Sequence, residues 1–431
     1  MCHGKSLGNV AGTRAPCRGQ ASLNELAVLL FCVACGCAKP MELMKLDDGD
    51  LTVKSDASTD TGGTTDATVV QMTGGSSTGG ASDTGGTSDT GGIVDIIDAS
   101  TSDASDADSA TGTNSCGANR CFDYTPSNVD VTTLDLSSPG NATLDCGTTE
   151  ITSSGGNVTF TNWCGTMPTP VVVSQSMGPD LAVIPVANLT IAAGNTLRLT
   201  GEMPVVLVAA GDMDISGTID ASSSSGMSMS SGAGANWMCG TSTGGDGSPD
   251  SGSSSGGGGG GFGTAGGAGG DGNNVSGGTP GSSRTQSDPL SPLVGGCAGG
   301  IGAYDSSCNP NGGAGGGVVQ LAASGTLTVS GEINVAGANG NQGCGSDGGG
   351  GGGGSGGGVL IEGEDVDLTG ATITADGGNG GRAGNNGGAG STDSASPGVN
   401  GRNDGALGGS GGGGGYGRIQ ATAQGTCTGC P

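Results

Sequence analysis

The sequence predicts an all-β protein built as a right-handed parallel β-solenoid. Three observations lead to this fold: three short segments align with one another, apolar residues alternate strictly within each, and a long glycine-rich insert follows each. Glycine occupies 100 of the 431 positions and aromatic residues only 2%, so an ordinary globular core is not expected. The core must come from the few Val/Leu/Ile/Ala runs.

The three aligned segments are Val205–Ala221, Val319–Val335 and Val359–Ala375. In each, an apolar run leads through a turn to an alternating pair that ends in Ser/Thr-Gly, and a third short run follows. Alternation places the apolar side chains on one face of a strand. Such units bury that face only when they stack, as in a solenoid. Leu189–Gly201 is a weaker preceding copy, and Arg418–Thr422 resembles a fragment of a last one.

The glycine-rich inserts cover 222–316, 336–358 and 376–415 and follow the same position of each unit. They should therefore emerge on one face of a solenoid that spans 171–423. Polyglycine tracts such as Gly256–Gly261 have an alternative arrangement, extended helices of three residues per turn that bond to one another through the backbone. An antiparallel β-sandwich is the alternative for the whole body, because it too uses short alternating strands.

The amino-terminal region is typical of an export signal. Residues 1–34 carry basic residues and then a short apolar run, Leu26–Ala34, which is too short to span a bilayer. Small residues precede Cys35, the predicted site of lipidation, and Cys37 is the alternative. The acidic Ser/Thr/Gly-rich segment 35–115 has too little apolar surface to fold, which predicts a disordered tether. Secretion without a lipid is the other reading.

Cysteines flank and interrupt the predicted body. Segment 116–170 is expected to form a cysteine-containing cap and 424–431 a cysteine-containing tail. An even number of cysteines in an exported chain favours disulfides. The candidates are Cys116, Cys121, Cys146, Cys164, Cys239, Cys297, Cys308, Cys344, Cys427 and Cys430. The sequence leaves their pairing open, and for the final CxxC it favours a structural disulfide over redox or metal chemistry.

Charge and composition disfavour several classes of function. The formal net charge of −27 repels nucleic-acid backbones. The only histidine, His3, lies in the predicted signal peptide, which removes catalytic triads that need imidazole. We therefore expect no enzyme and no cofactor. The enzymatic alternative is a β-helix polysaccharide lyase or hydrolase, whose signature would be an arginine and two or more carboxylates converging in a groove.

Calcium is the only ion that the sequence suggests. A GGAGGD stretch resembles the start of a calcium-binding β-roll repeat, and outward carboxylates would cluster if their coils were neighbours. A solvated acidic face is the alternative. The candidate ligands are Asp212, Asp214, Asp271, Asp365 and Asp367.

With its cysteine-anchored leader, acidic tether and β-helix-like units carrying polyglycine inserts, the chain resembles the glycine-rich lipoproteins of myxobacterial type. The resemblance implies a surface or matrix role and brings no catalytic residues. The expectation is thus a structural or adhesive protein of the outer membrane or cell surface. It would be anchored in the membrane by its lipid and would contact extracellular polysaccharide or other surface proteins. A passive secreted coat protein is a further alternative.

Overall fold

The computed structural model describes residues 122–431 with gaps at 138, 226–229, 287–289, 304–309, 346, 384–387, 389, 391 and 404–407. The predicted signal peptide, both lipidation candidates, the whole predicted tether and the first six residues of the predicted cap precede this part of the chain. Among the described residues, no helix is long and apolar enough to cross a membrane.

The described chain is all-β, as predicted. Its strands are β1 (Ala142–Leu144), β2 (Thr148–Ser154), β3 (Asn157–Thr161), β4 (Val171–Val173), β5 (Leu181–Val186), β6 (Leu189–Ile191), β7 (Thr196–Gly201), β8 (Val205–Ala209), β9 (Met213–Ile215), β10 (Thr218–Asp220), β11 (Val318–Val329), β12 (Glu332–Asn334), β13 (Gly358–Asp367), β14 (Thr372–Thr374), β15 (Arg418–Ala423) and β16 (Cys427–Thr428). Two short 3-10 turns, Val131–Thr133 and Gly240–Ser242, accompany them.

The strands form two sheets whose pairing is mostly parallel. The larger sheet runs β1-β6-β9-β11-β8-β5-β4, with β13 beside β11 and both β15 and β16 beside β13. The smaller sheet runs β14-β12-β10-β7-β2-β3. The antiparallel pairs among the described strands, β2 with β3 and β4 with β5, both lie toward the amino-terminal end. This parallel pairing differs from that of the sandwich alternative.

The three aligned segments pair in the register that the sequence predicts. Val319 lies opposite both Val205 and Val359, and the apolar positions of the second and third strands match in the same way. The weaker copy also pairs as expected, because β6 and β7 lie beside β9 and β10. A further parallel layer, β1 and β2, lies within the segment predicted to be only a cap.

Two apolar clusters explain why the first strand of each unit is a continuous apolar run. In β8, Val205, Leu207 and Ala209 pack between the two sheets, whereas Val206 and Val208 face the other side. That second side is covered by residues near the start of the described chain, including Leu136, and by Leu290, Leu293 and Val294. A strand buried on both faces loses the polar alternation of a half-exposed strand.

The Ser/Thr-Gly motif marks a turn where the first two aligned units approach each other closely. A Cβ on Gly331 would lie 2.0 Å from the carbonyl oxygen of Gly217 in the preceding coil. The turn of the third copy has a different backbone conformation, because Gly370 has a φ of +86°, a region that favours glycine. This turn accounts for the extra residue in that copy.

Candidate functional site

The glycine-rich inserts leave the three aligned units at equivalent positions and connect the smaller sheet to the larger one. They follow β10, β12 and β14 in the smaller sheet and lead into β11, β13 and β15 in the larger one. They are not loose loops. Their described residues pack side by side as extended segments joined by backbone hydrogen bonds, the arrangement that the sequence offers only as an alternative.

The tract Gly256–Gly261 shows the rule of this packing. Its successive amides donate in rotation to three neighbouring segments, 267–270, 350–353 and 242–245, at N to O distances of 2.8 to 2.9 Å. Every third residue therefore addresses the same neighbour. This is the geometry of extended helices with three residues per turn and no internal hydrogen bonds.

The carbonyl groups of the same tract complete its surroundings. Oxygen atoms within 254–260 accept amides from three further segments, 278–281, 300–303 and 409–415. The tract thus has six bonded neighbours, three through its donors and three through its acceptors. Every backbone polar group that it buries can find a partner without β-sheet pairing.

Three such tracts, one from each insert, form the centre of the bundle. At one level Gly257 donates to Gly350, Gly350 to Gly409, and Gly409 to Ser254, which closes a triangle of the three tracts. The remaining described segments of the inserts surround this triangle, and we call the whole assembly the glycine bundle. Each of the three aligned units is thus followed by one central tract of the bundle.

Steric exclusion explains the pure glycine sequence of the central tracts. A Cβ on Gly259 would lie 1.9 Å from the Gly413 oxygen, one on Gly352 the same distance from Gly258, and one on Gly414 the same distance from Gly354. Any residue other than glycine is therefore excluded at the positions where one central tract contacts another. Outer segments have open space on one side, so they can carry a side chain at every third position.

Asparagine side chains on the outer segments satisfy backbone amides at the rim of the bundle. Asn339 Oδ1 accepts the amide of Asn379 at 2.6 Å, and Asn400 Oδ1 accepts that of Ala268 at 2.8 Å. The rim also exposes apolar side chains, among them Val399, which is 55% exposed. The rim is a polar surface with isolated apolar positions on a framework held by hydrogen bonds.

The calcium candidates on the coils do not come together. Asp214 pairs with Thr328, which in turn pairs with Asp367, so a whole coil separates the two carboxylates, about 9.6 Å at the usual strand spacing. Asp212 and Asp365 instead accept backbone amides of the adjacent coil at 2.9 and 2.8 Å. Among the described residues no group of three or more metal-ligating side chains occurs.

Asp271, the remaining candidate, fastens two outer segments of the glycine bundle. Its carboxylate accepts the Gly277 amide at 2.9 Å and the Asn403 side-chain amide at 3.0 Å. Its own backbone amide donates to the Asn403 side chain at 2.7 Å. This network gives the carboxylate a structural role.

Disulfides are present where the sequence expects them, and the pairings are now visible. The described bonds are Cys146–Cys164, Cys239–Cys297 and Cys427–Cys430. Cys344 is also disulfide-bonded, whereas Cys116, Cys121 and Cys308 lie outside the described residues. Cys239–Cys297 joins parts of the first glycine-rich insert, and the final CxxC forms the structural bridge that the sequence favours.

Three arginines of the described chain have structural partners. Arg198 forms an ion pair with Asp220 of the neighbouring strand, at 2.8 Å. Arg284 donates to the carbonyl oxygen of Trp237, and Arg418 donates to that of Arg284. These arginines therefore brace the sheet and the edge of the bundle.

A groove beside strands β13 and β15 contains a carboxylate that is buried. The groove has a volume of about 590 Å³, and Glu362 lines it although only 5% of this residue is exposed. Ser127 donates to the carboxylate through its hydroxyl and its amide, and Gln320 Nε2 donates to it at 2.6 Å. Burial raises the pKa of Glu362, against the opposing effect of these hydrogen bonds.

Tyr124 forms another wall of the same groove. Its hydroxyl donates to the carbonyl oxygen of Ala323 at 3.0 Å. Burial raises the pKa of this hydroxyl, and the nearby Glu362 charge raises it further. Neither residue was predicted from the sequence to belong to a site. The available signal was a lone glutamate in the apolar run VLIE, at a position where the aligned units carry Val and Ala.

Comparison with protein-family models, curated proteins and solved structures finds no significant match to this chain. The class of protein therefore follows from the fold and the sites alone. It is an all-β protein whose mostly parallel strands support a bundle of polyglycine helices.

Proposed function

We propose that this chain is a cell-surface lipoprotein with a structural or adhesive role, in which the glycine bundle is a rigid head. In this proposal the parallel strands form a right-handed β-solenoid, the residues before Cys35 are removed, and the lipid on that cysteine holds the protein in the outer membrane. The segment 35–115 would then be a tether with a reach of roughly 50 Å.

The observation that carries the proposal is the construction of the glycine bundle. Three inserts from three coils converge on a centre that admits no side chain, as the 1.9 Å approach of a Cβ on Gly352 to Gly258 illustrates. Such an assembly supplies a stiff outer surface, whereas its interior offers only backbone groups that are bonded to one another. A stiff surface suits repeated contact with matrix polysaccharide or neighbouring cells better than it suits chemistry.

The non-enzymatic part of the proposal draws on the placement of charged groups. Arg198 is engaged in the smaller sheet, and Arg284 and Arg418 bond backbone carbonyls. Among the described residues that line the groove, no second carboxylate side chain and no arginine accompanies the buried carboxylate of Glu362. This arrangement differs from the signature that the lyase or hydrolase alternative requires.

A rim variant tests the adhesive role without disturbing the centre of the bundle. Val399→Ser combined with Arg402→Ser changes two exposed side chains of one outer segment. We expect cells or beads that display the full chain to lose most of their attachment to neighbouring cells. The matched control is Met177→Ser with Thr143→Ser, two exposed positions on the coils.

The outcome separates the adhesive role from a passive coat. Loss of attachment in the rim variant alone supports adhesion through the bundle. Equal attachment of wild type, the rim variant and the control would mean that adhesion uses another part of the protein. No attachment by any of the three would support a passive coat protein. Turnover of a glycan by the wild-type chain would overturn the non-enzymatic proposal.

A further inference from the structure

The Glu362 groove has a composition that stability alone does not explain. Along the outer face of the larger sheet, Glu362 follows Val208 and Ala322 in the register and precedes Thr422. Val208 and Ala322 are apolar and buried, so the glutamate ends an apolar row at a position that is itself buried. Placing a carboxylate in such a position opposes folding, and an apolar residue there is typically neutral or stabilising.

Three donor groups hold the carboxylate in a fixed position. The Ser127 amide is shared between the two oxygens, at 3.3 and 3.1 Å, the Ser127 hydroxyl donates to the first oxygen, and the Gln320 side chain donates to the second. Gln320 is fixed in turn by Asn128, whose side-chain amide donates to it at 3.1 Å. An ionised carboxylate offers about four acceptor sites, so a donor in the groove can take the place of the long 3.3 Å contact from the shared amide.

The other walls combine neutral polar groups with a modest apolar surface. Polar groups come from Thr125, Thr422, Gln420 and Gln424, and apolar surface comes from Tyr124, Ile419, Ala421 and Pro431. Because the Tyr124 hydroxyl donates to a backbone carbonyl, its oxygen can accept a hydrogen bond. The volume of about 590 Å³ lies within the usual range of small-molecule sites.

These features select among classes of ligand. The described residues that line this groove include no lysine, arginine or histidine. Because the Glu362 carboxylate also repels anions, acidic sugars and phosphates are disfavoured. A calcium ion needs six to eight oxygen ligands, and the described residues that line the groove supply a single carboxylate side chain. We infer that this groove binds a neutral saccharide, whose hydroxyl groups donate to Glu362 and whose ring packs on the apolar wall.

Titration calorimetry on the full chain measures the affinity for a panel of neutral oligosaccharides, which are derived from glucose, xylose, mannose and galactose polymers. Oligogalacturonate serves as the acidic comparison. The groove-filling variant Thr422→Trp should weaken binding of the neutral ligand at least tenfold. Thr143→Trp, an exposed threonine on β1, is the matched control and should bind like wild type.

A second variant tests the carboxylate itself. Glu362→Gln keeps the shape of the side chain but removes the charge, and we expect at least a tenfold loss, as for a hydrogen bond to a charged group. Glu332→Gln, on the smaller sheet, should leave affinity unchanged.

The inference is overturned if no neutral oligosaccharide of the panel binds saturably, if oligogalacturonate binds best, or if Thr422→Trp binds like wild type. It is independent of adhesion by the bundle. Rim variants should leave saccharide titrations unchanged, and Thr422→Trp should leave cell attachment unchanged, so the two proposals fail separately.

Discussion

Replacing one central glycine by alanine should destabilise the protein far more than the same change at an open glycine. In Gly352→Ala the new Cβ would lie 1.9 Å from the Gly258 oxygen, whereas ordinary contact begins near 3.4 Å. The neighbouring tract must therefore move by about 1.5 Å. Such a shift breaks the 2.8 Å bonds from the Gly300 amide to the Gly258 oxygen and from the Gly258 amide to the Gly245 oxygen.

The magnitude follows from those two buried hydrogen bonds. Leaving a buried backbone group without a partner costs about 1–3 kcal/mol, so Gly352→Ala should lower the free energy of unfolding by about 3 kcal/mol or more. That corresponds to roughly a hundredfold in the unfolding equilibrium. Gly252 is the matched control, because a Cβ there meets nothing within 4 Å; its alanine variant should stay within about 0.5 kcal/mol of wild type.

Urea unfolding of the full chain, followed by circular dichroism, measures both variants. The steric account requires a much lower midpoint for Gly352→Ala and an unchanged one for Gly252→Ala. Equal midpoints would refute the reasoning, since they would mean that the central tracts have room for side chains.

Two further predictions concern crosslinks and charge. Serine replacement of the Cys239–Cys297 pair, which spans 58 residues, should lower the free energy of unfolding by about 4 kcal/mol on the chain-entropy model. The same replacement of Cys427–Cys430, which spans 3 residues, should lower it by less than about 2 kcal/mol. Equal losses of stability in thermal unfolding would contradict that model here. Because burial raises the pKa of Glu362 in the folded state, wild type should lose stability as pH rises above the usual glutamate pKa, whereas Glu362→Gln should not. The stability gain of this variant should therefore be largest near neutral pH and vanish at about pH 3 to 4; a constant difference across this range would contradict the assignment.

The strands could be predicted from the sequence because their signal is local. Alternating apolar residues identified the aligned units and even their register, since Val205, Val319 and Val359 lie side by side as aligned. The layer formed by β1 and β2 was missed because its apolar signal is brief and lies among polar residues.

The glycine bundle could be anticipated only as an alternative, because its bonds join segments far apart in the chain. A period of three was nevertheless visible: Asp376, Asn379 and Arg382 stand three apart with glycines between them. That spacing distinguishes an outer segment from a central tract of continuous glycine. The Glu362 groove was missed because its walls come from distant segments, as with Tyr124 and Gln424.

Hydrogen exchange of the glycine amides is the most direct test of the central claim that the inserts form a rigid bundle. Exchange measured by mass spectrometry on the full native chain can compare the tracts 256–261 and 348–354 with the strand Val318–Val329. Bonded and buried amides should be protected in the tracts to a degree similar to that in the strand. Exchange of both tracts at the rate of an unfolded chain, beside a protected strand, would contradict the account.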